Sequence, residues 1–293
     1  MATLRDIRRR IQAVRNTAKI TAAMRMVSAA KLRRAQEAIW AARPYAQKLN
    51  EILTHLASTA QDFVHPFFEA RKEIRSIALI VVTADRGLCG SFNNNVLRSA
   101  VQHISELEQQ LRSASIHIFA VGRRGLTFFR KRAREPIAYA NPQAFSPLRY
   151  ETAQELARAI MESFLIGRYD RIEVLYNEFR SVLRQEVRHE VLLPIVSPEH
   201  VEKHRTGYIY EPSQADILNA LLPLSVQTQI WRILLDSNTA EHAARMIAME
   251  NATTNAHELI RHLQLQYNKE RQAAITKEMV EISSGAEALR GQG

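Results

Sequence analysis

No glycine occurs before Gly87, and none between Gly207 and Gly285. Glycine in a helix interior costs about 1 kcal/mol relative to alanine, so glycine-free stretches at both ends of a chain favour two long helices. Gly87, Gly90, Gly122, Gly125, Gly167 and Gly207 all fall between them, where tight turns are expected. This distribution divides the chain into a first arm over 1–60, a compact middle over 74–208 and a last arm over 212–289.

Both arms carry a narrow apolar seam. In the first, Leu4, Ile7, Ile11, Val14, Ala18 and Thr21 alternate steps of three and four. Ser28, Leu32, Ala35, Ile39 and Ala42 resume the rhythm, and Leu49, Ile52, Leu53 and Leu56 close it. That spacing makes the stripe of a coiled coil rather than the broad face of a core helix. Thr3, with Asp6 three residues on, reads as a helix start, and Pro44 as a kink. In the last arm Ile230, Ile233, Ser237, Ala240, Ala244 and Ile247 keep the same steps. After a slip in phase come Ala252, Ala256, Leu259, Leu263 and Tyr267, then Ile275, Met279 and Ile282. The slip makes the seam wind around its helix. Pro212 and Pro223 suit first-turn positions, so a short helix is expected ahead of a long one beginning at 223. A helix of about 60 residues rises roughly 90 Å. Neither arm can bury its seam alone, and the simplest solution is an antiparallel pair.

The middle has a different rhythm. SIALIVVTAD (76–85) is a continuous β-branched run of the kind found in buried strands. Strands are also expected at 115–122 and 170–179, with helices over 95–111, 123–132 and 150–166. Residues 182–194 alternate well enough for a further, antiparallel strand, and 133–149, with three prolines, reads as an edge strand and loop. Strands alternating with helices predict a βαβ-type sheet, so the fold class is α/β: a Rossmann-like domain inserted between two paired terminal helices.

Charge singles out the first arm. The chain carries a net +10, and residues 1–43 hold eleven Lys and Arg against only Asp6 and Glu37, which is +9. A field of one sign that concentrated calls for an acidic partner: nucleic acid, membrane or protein. The last arm is mixed, with nine acidic and seven basic residues over 214–293. No apolar run reaches 18 residues, and the start MATLRDIRRRI has no apolar stretch of the secretory kind.

The candidate chemical sites are weak. Gly87 and Gly90 lie in a turn after the first strand, where phosphates bind in many α/β proteins, but the spacing is GxxG, not GxGxxG or a P-loop. Gly122 and Gly125 repeat it, and both read as structural turns. His257 and His262 sit five apart, too far around a helix for one zinc, and His200 and His204 lack a third ligand. Cys89, the single cysteine, has no evident base and reads as a small buried residue. No catalytic residue, cofactor or metal is expected.

Six segments resemble the γ subunit of F-type ATP synthase, in order and over nearly the whole chain: LRDIRRRIQAVRNTAKITAAMRMVSAAKLRRAQ (4–36), TADRGLCGSFNNNVL (83–97), VGRRGLTFFRKR (121–132), EPSQADILNALLP (211–223), EHAARMIAMENATTNA (241–256) and YNKERQAAITKEMVEISSGAEAL (267–289). The chain looks like a bacterial form, with no transit peptide and no regulatory cysteine pair. The resemblance implies a non-catalytic central-stalk rotor of the F1 sector of a proton-translocating ATP synthase, coupling ion flow through the membrane ring to conformational change at the β catalytic sites during ATP synthesis. Its implied partners are the α and β subunits of the α3β3 ring, the ε subunit and the c-subunit ring of Fo, with one copy per complex. The implied location is the cytoplasmic side of the cell membrane, as a peripheral protein. Met24 and Arg25, with Arg271, Gln272 and Thr276, match segments that contact β in this family. Arg8, Arg9 and Arg10 are candidates to meet an acidic β loop. A basic coiled-coil nucleic-acid-binding protein is the alternative, and a small nucleotide-dependent α/β enzyme a third reading.

Overall fold

The structure, a computed structural model, describes residues 3–59, 65–111, 114–195, 211 and 213–290, with side chains undescribed at 57–59 and 285–290. Two α-helices, α1 (Leu4–Thr59) and α5 (Gln214–Arg290), account for both arms. Each opens on the same device. Thr3 Oγ1 accepts the Asp6 amide at 3.2 Å, and Asp6 Oδ2 accepts back from the Thr3 amide and hydroxyl. Ser213 and Asp216 repeat the two hydroxyl bonds at the head of α5. The first is a capping box with aspartate in the glutamate position, satisfying two otherwise orphaned amides; at α5 the Ser213 hydroxyl satisfies the Asp216 amide.

The expected start of the long helix at Pro223 is corrected. α5 begins at Gln214 and runs through Pro223 without a break. Proline removes one helical hydrogen bond, at about 3 kcal/mol. Here Leu218, Leu222 and Val226 are all at or below 1% exposure on one face, and their burial outweighs that loss. Helix α1 likewise continues past Pro44.

The chain resolves into two compact units, Met1–Val27 with Met246–Gly293, and Ser28–Arg245. In the first, Ile7 and Ile11 of α1 pack with Ile260 and Leu263 of α5, flanked by Val14 and Tyr267. Farther along, Thr21 Oγ1 lies 2.7 Å from Thr253 Oγ1, and Arg25 pairs with Glu250 at 3.3 Å. Partners fall on α5 as they rise on α1, which makes the pair antiparallel. Two details of the seam differ from the spacing. Ile260 is buried and Leu259 is not, because the phase slip carries the seam one position further around α5. In the second unit, Ile52 is exposed while Leu49, Leu53 and Leu56 are buried.

The second unit holds a five-stranded sheet in the order β3-β2-β1-β4-β5, from β1 (Ser76–Val82), β2 (Ser115–Val121), β3 (Ile137–Asn141), β4 (Arg171–Phe179) and β5 (Gln185–Leu193). The first four are parallel and β5 runs antiparallel on β4. Strand period two sends Ile77, Leu79, Val81 and Leu175 to one face, covered by α2 (Phe92–Gln110) and α3 (Arg123–Arg132). Ala78, Ile80, Val82, Val174 and Tyr176 face the other way, under α4 (Tyr150–Leu165), Leu49, Leu53 and Leu56 of α1, and Leu218 to Leu234 of α5. With both faces covered, β1 can be apolar from Ile77 to Val82, as its sequence is.

Candidate functional site

In the first unit, the seam claims only one stripe of each helix. Ile20, Met26 and Val27 on α1 stay more than half exposed, as do Leu265, Met279, Val280 and Ile282 on α5, and Ile275 is nearly so. The last three members of the expected seam, Ile275, Met279 and Ile282, therefore find no cover from α1. Arg8, Arg9 and Arg10 are exposed and enter none of the ion pairs among the described residues. Arg25 is half-exposed in its pair with Glu250, and Met24 is partly buried. Arg271, Gln272 and Thr276 are exposed, and the Thr276 hydroxyl donates to the Gln272 carbonyl at 2.9 Å. The structure thus gathers the candidate contact residues on the two-helix unit, as surface rather than cleft.

The amides of the Gly122–Gly125 turn in the second unit are committed to internal bonds. An anion would need free amides at the start of a helix. The Gly125 amide already donates to Thr83 Oγ1 at 2.8 Å, the Arg124 amide to the Ala84 carbonyl at 3.2 Å, and the Ala84 amide to Asn93 Oδ1 at 2.9 Å. Asp85 places a carboxylate at the same turn, accepting from the Phe145 amide and the Ser146 hydroxyl. Gly122, at φ +91°, lets the chain pass so close that an added Cβ would lie 2.0 Å from the Thr83 carbonyl oxygen. The Gly87 turn instead holds α5: Arg245 Nη1 donates to the Gly87 carbonyl at 2.6 Å while its other nitrogens pair with Glu241. Cys89 beside it is 1% exposed, and burial followed by the Glu241 charge pushes its thiol pKa up, away from reactivity. His257 and His262 are exposed on α5; His200, His204 and Pro212 lie outside the described residues.

Two polar clusters were missed by sequence reasoning. In one, Arg232 of α5 reaches Glu190 Oε2 at 2.7 Å, the Tyr176 hydroxyl at 3.2 Å and Asp236 Oδ2 at 3.5 Å, and the Tyr176 hydroxyl donates to Glu190 at 2.5 Å. Arg43 of α1 stands 3.7 Å from Asp236 Oδ1. These groups tie α1 and α5 to β4 and β5. Burial raises the Asp236 pKa to about 6, against the lowering effect of Arg232 and Arg43. In the other cluster, the carboxylate of Glu173, 1% exposed, receives His103 Nε2 at 2.5 Å and His189 Nε2 at 2.8 Å on one oxygen and lies 2.5 Å from Arg171 Nε on the other. Burial pushes the Glu173 pKa up, but the two histidine hydrogen bonds and the Arg171 charge prevail and bring it to about 2. The sequence signal was Glu173 itself, a carboxylate set between apolar Ile172 and Val174 in the strand RIEVLYNEF.

The family model for ATP synthase matches residues 3–289. The chain is 48% identical to the ATP synthase gamma chain of Chlorobium phaeobacteroides (strain BS1), covering all of both chains. The chain belongs to the ATP synthase γ-subunit family. The gamma chain of Trichlorobacter lovleyi is 46% identical over 99% of this chain and all of its own length. Among solved structures, a chain of the Euglena gracilis mitochondrial ATP synthase OSCP/F1/c-ring assembly aligns with a TM-score of 0.64 at 18% identity, covering 98% of this chain and 94% of its own. A chain of the Tetrahymena thermophila central stalk/c-ring assembly aligns at 0.55 and 24%. At those identities the likeness is one of fold. The nucleic-acid reading of the basic arm finds no support among these relatives.

Proposed function

We propose that this chain is the central-stalk rotor of an F-type ATP synthase, turning within a ring of three α and three β subunits and itself carrying no catalytic group. The reading rests on family membership across residues 3–289. Its partners are α and β along the two-helix unit, and the ε subunit and c-ring elsewhere, with one copy per complex. No helix of the described residues is long and apolar enough to cross a membrane.

The exposed surface of the two-helix unit suits this work. An antiparallel pair has different side chains on every flank, so a turning shaft offers each β subunit a different face in succession. Moving a β site from 1:99 to 99:1 between conformations takes about 5.5 kcal/mol of differential contact. A few apolar contacts to Met26, Val27, Met279 and Val280, gained in one orientation and lost in the next, are of that order, at about 25 cal/mol per Å² buried. Met24, Arg25, Arg271, Gln272 and Thr276 are assigned to β contact. Arg8, Arg9 and Arg10 are assigned to an acidic β loop, where charge meets charge without first breaking an internal ion pair.

Reconstitution with α and β tests both levels. The complex should form, and ATP hydrolysis should drive rotation of a bead on this chain. Changing Arg8, Arg9 and Arg10 together to glutamine should leave assembly intact and lower torque, with a smaller effect at high salt. Unchanged torque at low salt would remove the charge assignment; failure to assemble with α and β at all would remove the rotor reading.

A further inference from the structure

The cluster around Glu173 has the donor set of a transition-metal centre. His103 comes from α2, Glu173 from β4 and His189 from β5, and their donor atoms all lie within 4.8 Å of one another. Both imidazoles aim Nε2 at the same oxygen, Oε2, at 2.5 and 2.8 Å. Glu173 is ionised and only accepts, so both Nε2 atoms carry protons in this arrangement. One cation would suffice to balance one buried carboxylate, and Arg171 already supplies it at Oε1, 2.5 Å away. Two further imidazoles converging on Oε2 exceed what charge balance requires. We propose that His103, Glu173 and His189 form a binding site for a divalent transition metal of the zinc class.

Chemistry selects the ion. Two imidazole nitrogens and one carboxylate oxygen suit zinc in the three-ligand form that leaves a fourth position for water. Magnesium and calcium prefer oxygen donors and are disfavoured here. Binding needs no net loss of protons: each imidazole moves its proton from Nε2 to Nδ1 and turns its freed lone pair to the ion. His103 Nδ1 then has an acceptor in reach, since Glu106 Oε2 lies 4.0 Å from it, one helical turn along α2. The charge of Arg171 beside Oε1 leaves Oε2 to the histidines. The His189 side chain is 38% exposed, against 17% for His103 and 1% for Glu173, so the ion enters and water binds from the His189 side. The ion would join edge strand β5 to β4 and α2, three elements far apart in sequence. The cation of Arg171 offsets part of the ligand charge, so the site should hold zinc reversibly rather than as an obligate part of the fold.

The test uses the full chain, stripped with chelator and then titrated with zinc in calorimetry, and separately with cobalt(II), whose visible ligand-field bands report tetrahedral imidazole coordination. We expect one zinc per chain, no competition from excess magnesium, and a melting temperature that rises with zinc. His189→Ala and His103→Ala should each weaken binding by about tenfold or more and abolish the melting shift. His257→Ala with His262→Ala, on exposed histidines of α5, should change neither. If His189→Ala does not fold, His189→Gln and the cobalt spectrum of the unaltered chain serve in its place. Zinc binding that survives both substitutions, or a stripped chain whose melting temperature is indifferent to zinc, overturns the proposal.

Discussion

Asp236 and Gly122 show how much one residue can carry. The Asp236 side chain is 3% exposed, its Oδ1 accepts no hydrogen bond, and burial holds its pKa at about 6 rather than 3.8. The folded state therefore binds the proton more tightly than the unfolded state. Its contribution is fully present below pH 3.8 and is lost as pH rises through 6, so at neutral pH the ionised form is a burden of up to about 3 kcal/mol. Asp236→Asn should raise the melting temperature at pH 7.5, and that advantage should shrink between pH 6 and 4; parallel melts of the two proteins would show it. Gly122→Ala would set a methyl 2.0 Å from the Thr83 carbonyl oxygen in a left-handed backbone conformation. A loss of about 3 kcal/mol or more is expected in urea unfolding. Neither effect was legible beforehand. The GxxG pattern announced a turn, but only the side-by-side pairing of the β1 and β2 ends explains why Gly122 lies against Thr83. Asp236 sits within an otherwise ordinary helical stretch, and its burial depends on β4, β5 and α1 together.

At the scale of elements, the sequence was far more informative, because a helix seam is written in local spacing. Ile7, Ile11, Ala18, Thr21, Leu32, Ala35 and Ile39 are buried where the alternation of three and four places them. Strands of the middle were equally plain, since β1 is covered on both faces and so is apolar from Ile77 to Val82. Failures occurred where a local rule met a distant contact. Pro223 promised a helix start, but burial of Leu218 and Leu222 carries α5 through it. The phase slip exchanged Leu259 for Ile260. His103 and His189 lie 70 and 16 residues from Glu173, so nothing local links them. In the two-helix unit the seam is one side chain deep, and each buried leucine matters. Leu263→Ala, at a site 3% exposed, should cost about 2–3 kcal/mol, at the lower end for leucine because helices can close partly over the gap. Helical circular dichroism of the isolated chain, followed through heating, should show an earlier transition.

For the whole molecule, the charge and the apolar surface point to one requirement. Most of the net +10 resides in the first 43 residues, and the two-helix unit leaves Ile20, Met26, Val27, Leu265, Met279, Val280 and Ile282 open to solvent. An isolated chain of this design repels itself along α1 and is adhesive along the far end of α5, where Ile275, Met279 and Ile282 continue a seam that α1 does not cover. Synthesis in excess of its partners should therefore be self-limiting. A copy without a ring to enter displays the kind of surface that housekeeping proteases and chaperones bind, and the uncovered turns of α5 have only bonds within their own helix to resist opening. Pulse-chase labelling in cells lacking α and β should find a shortened lifetime, with the first cuts beyond Tyr267; a lifetime equal to that in complete cells would speak against it. The supply of this subunit is then matched to the supply of rings by turnover, without any dedicated regulator.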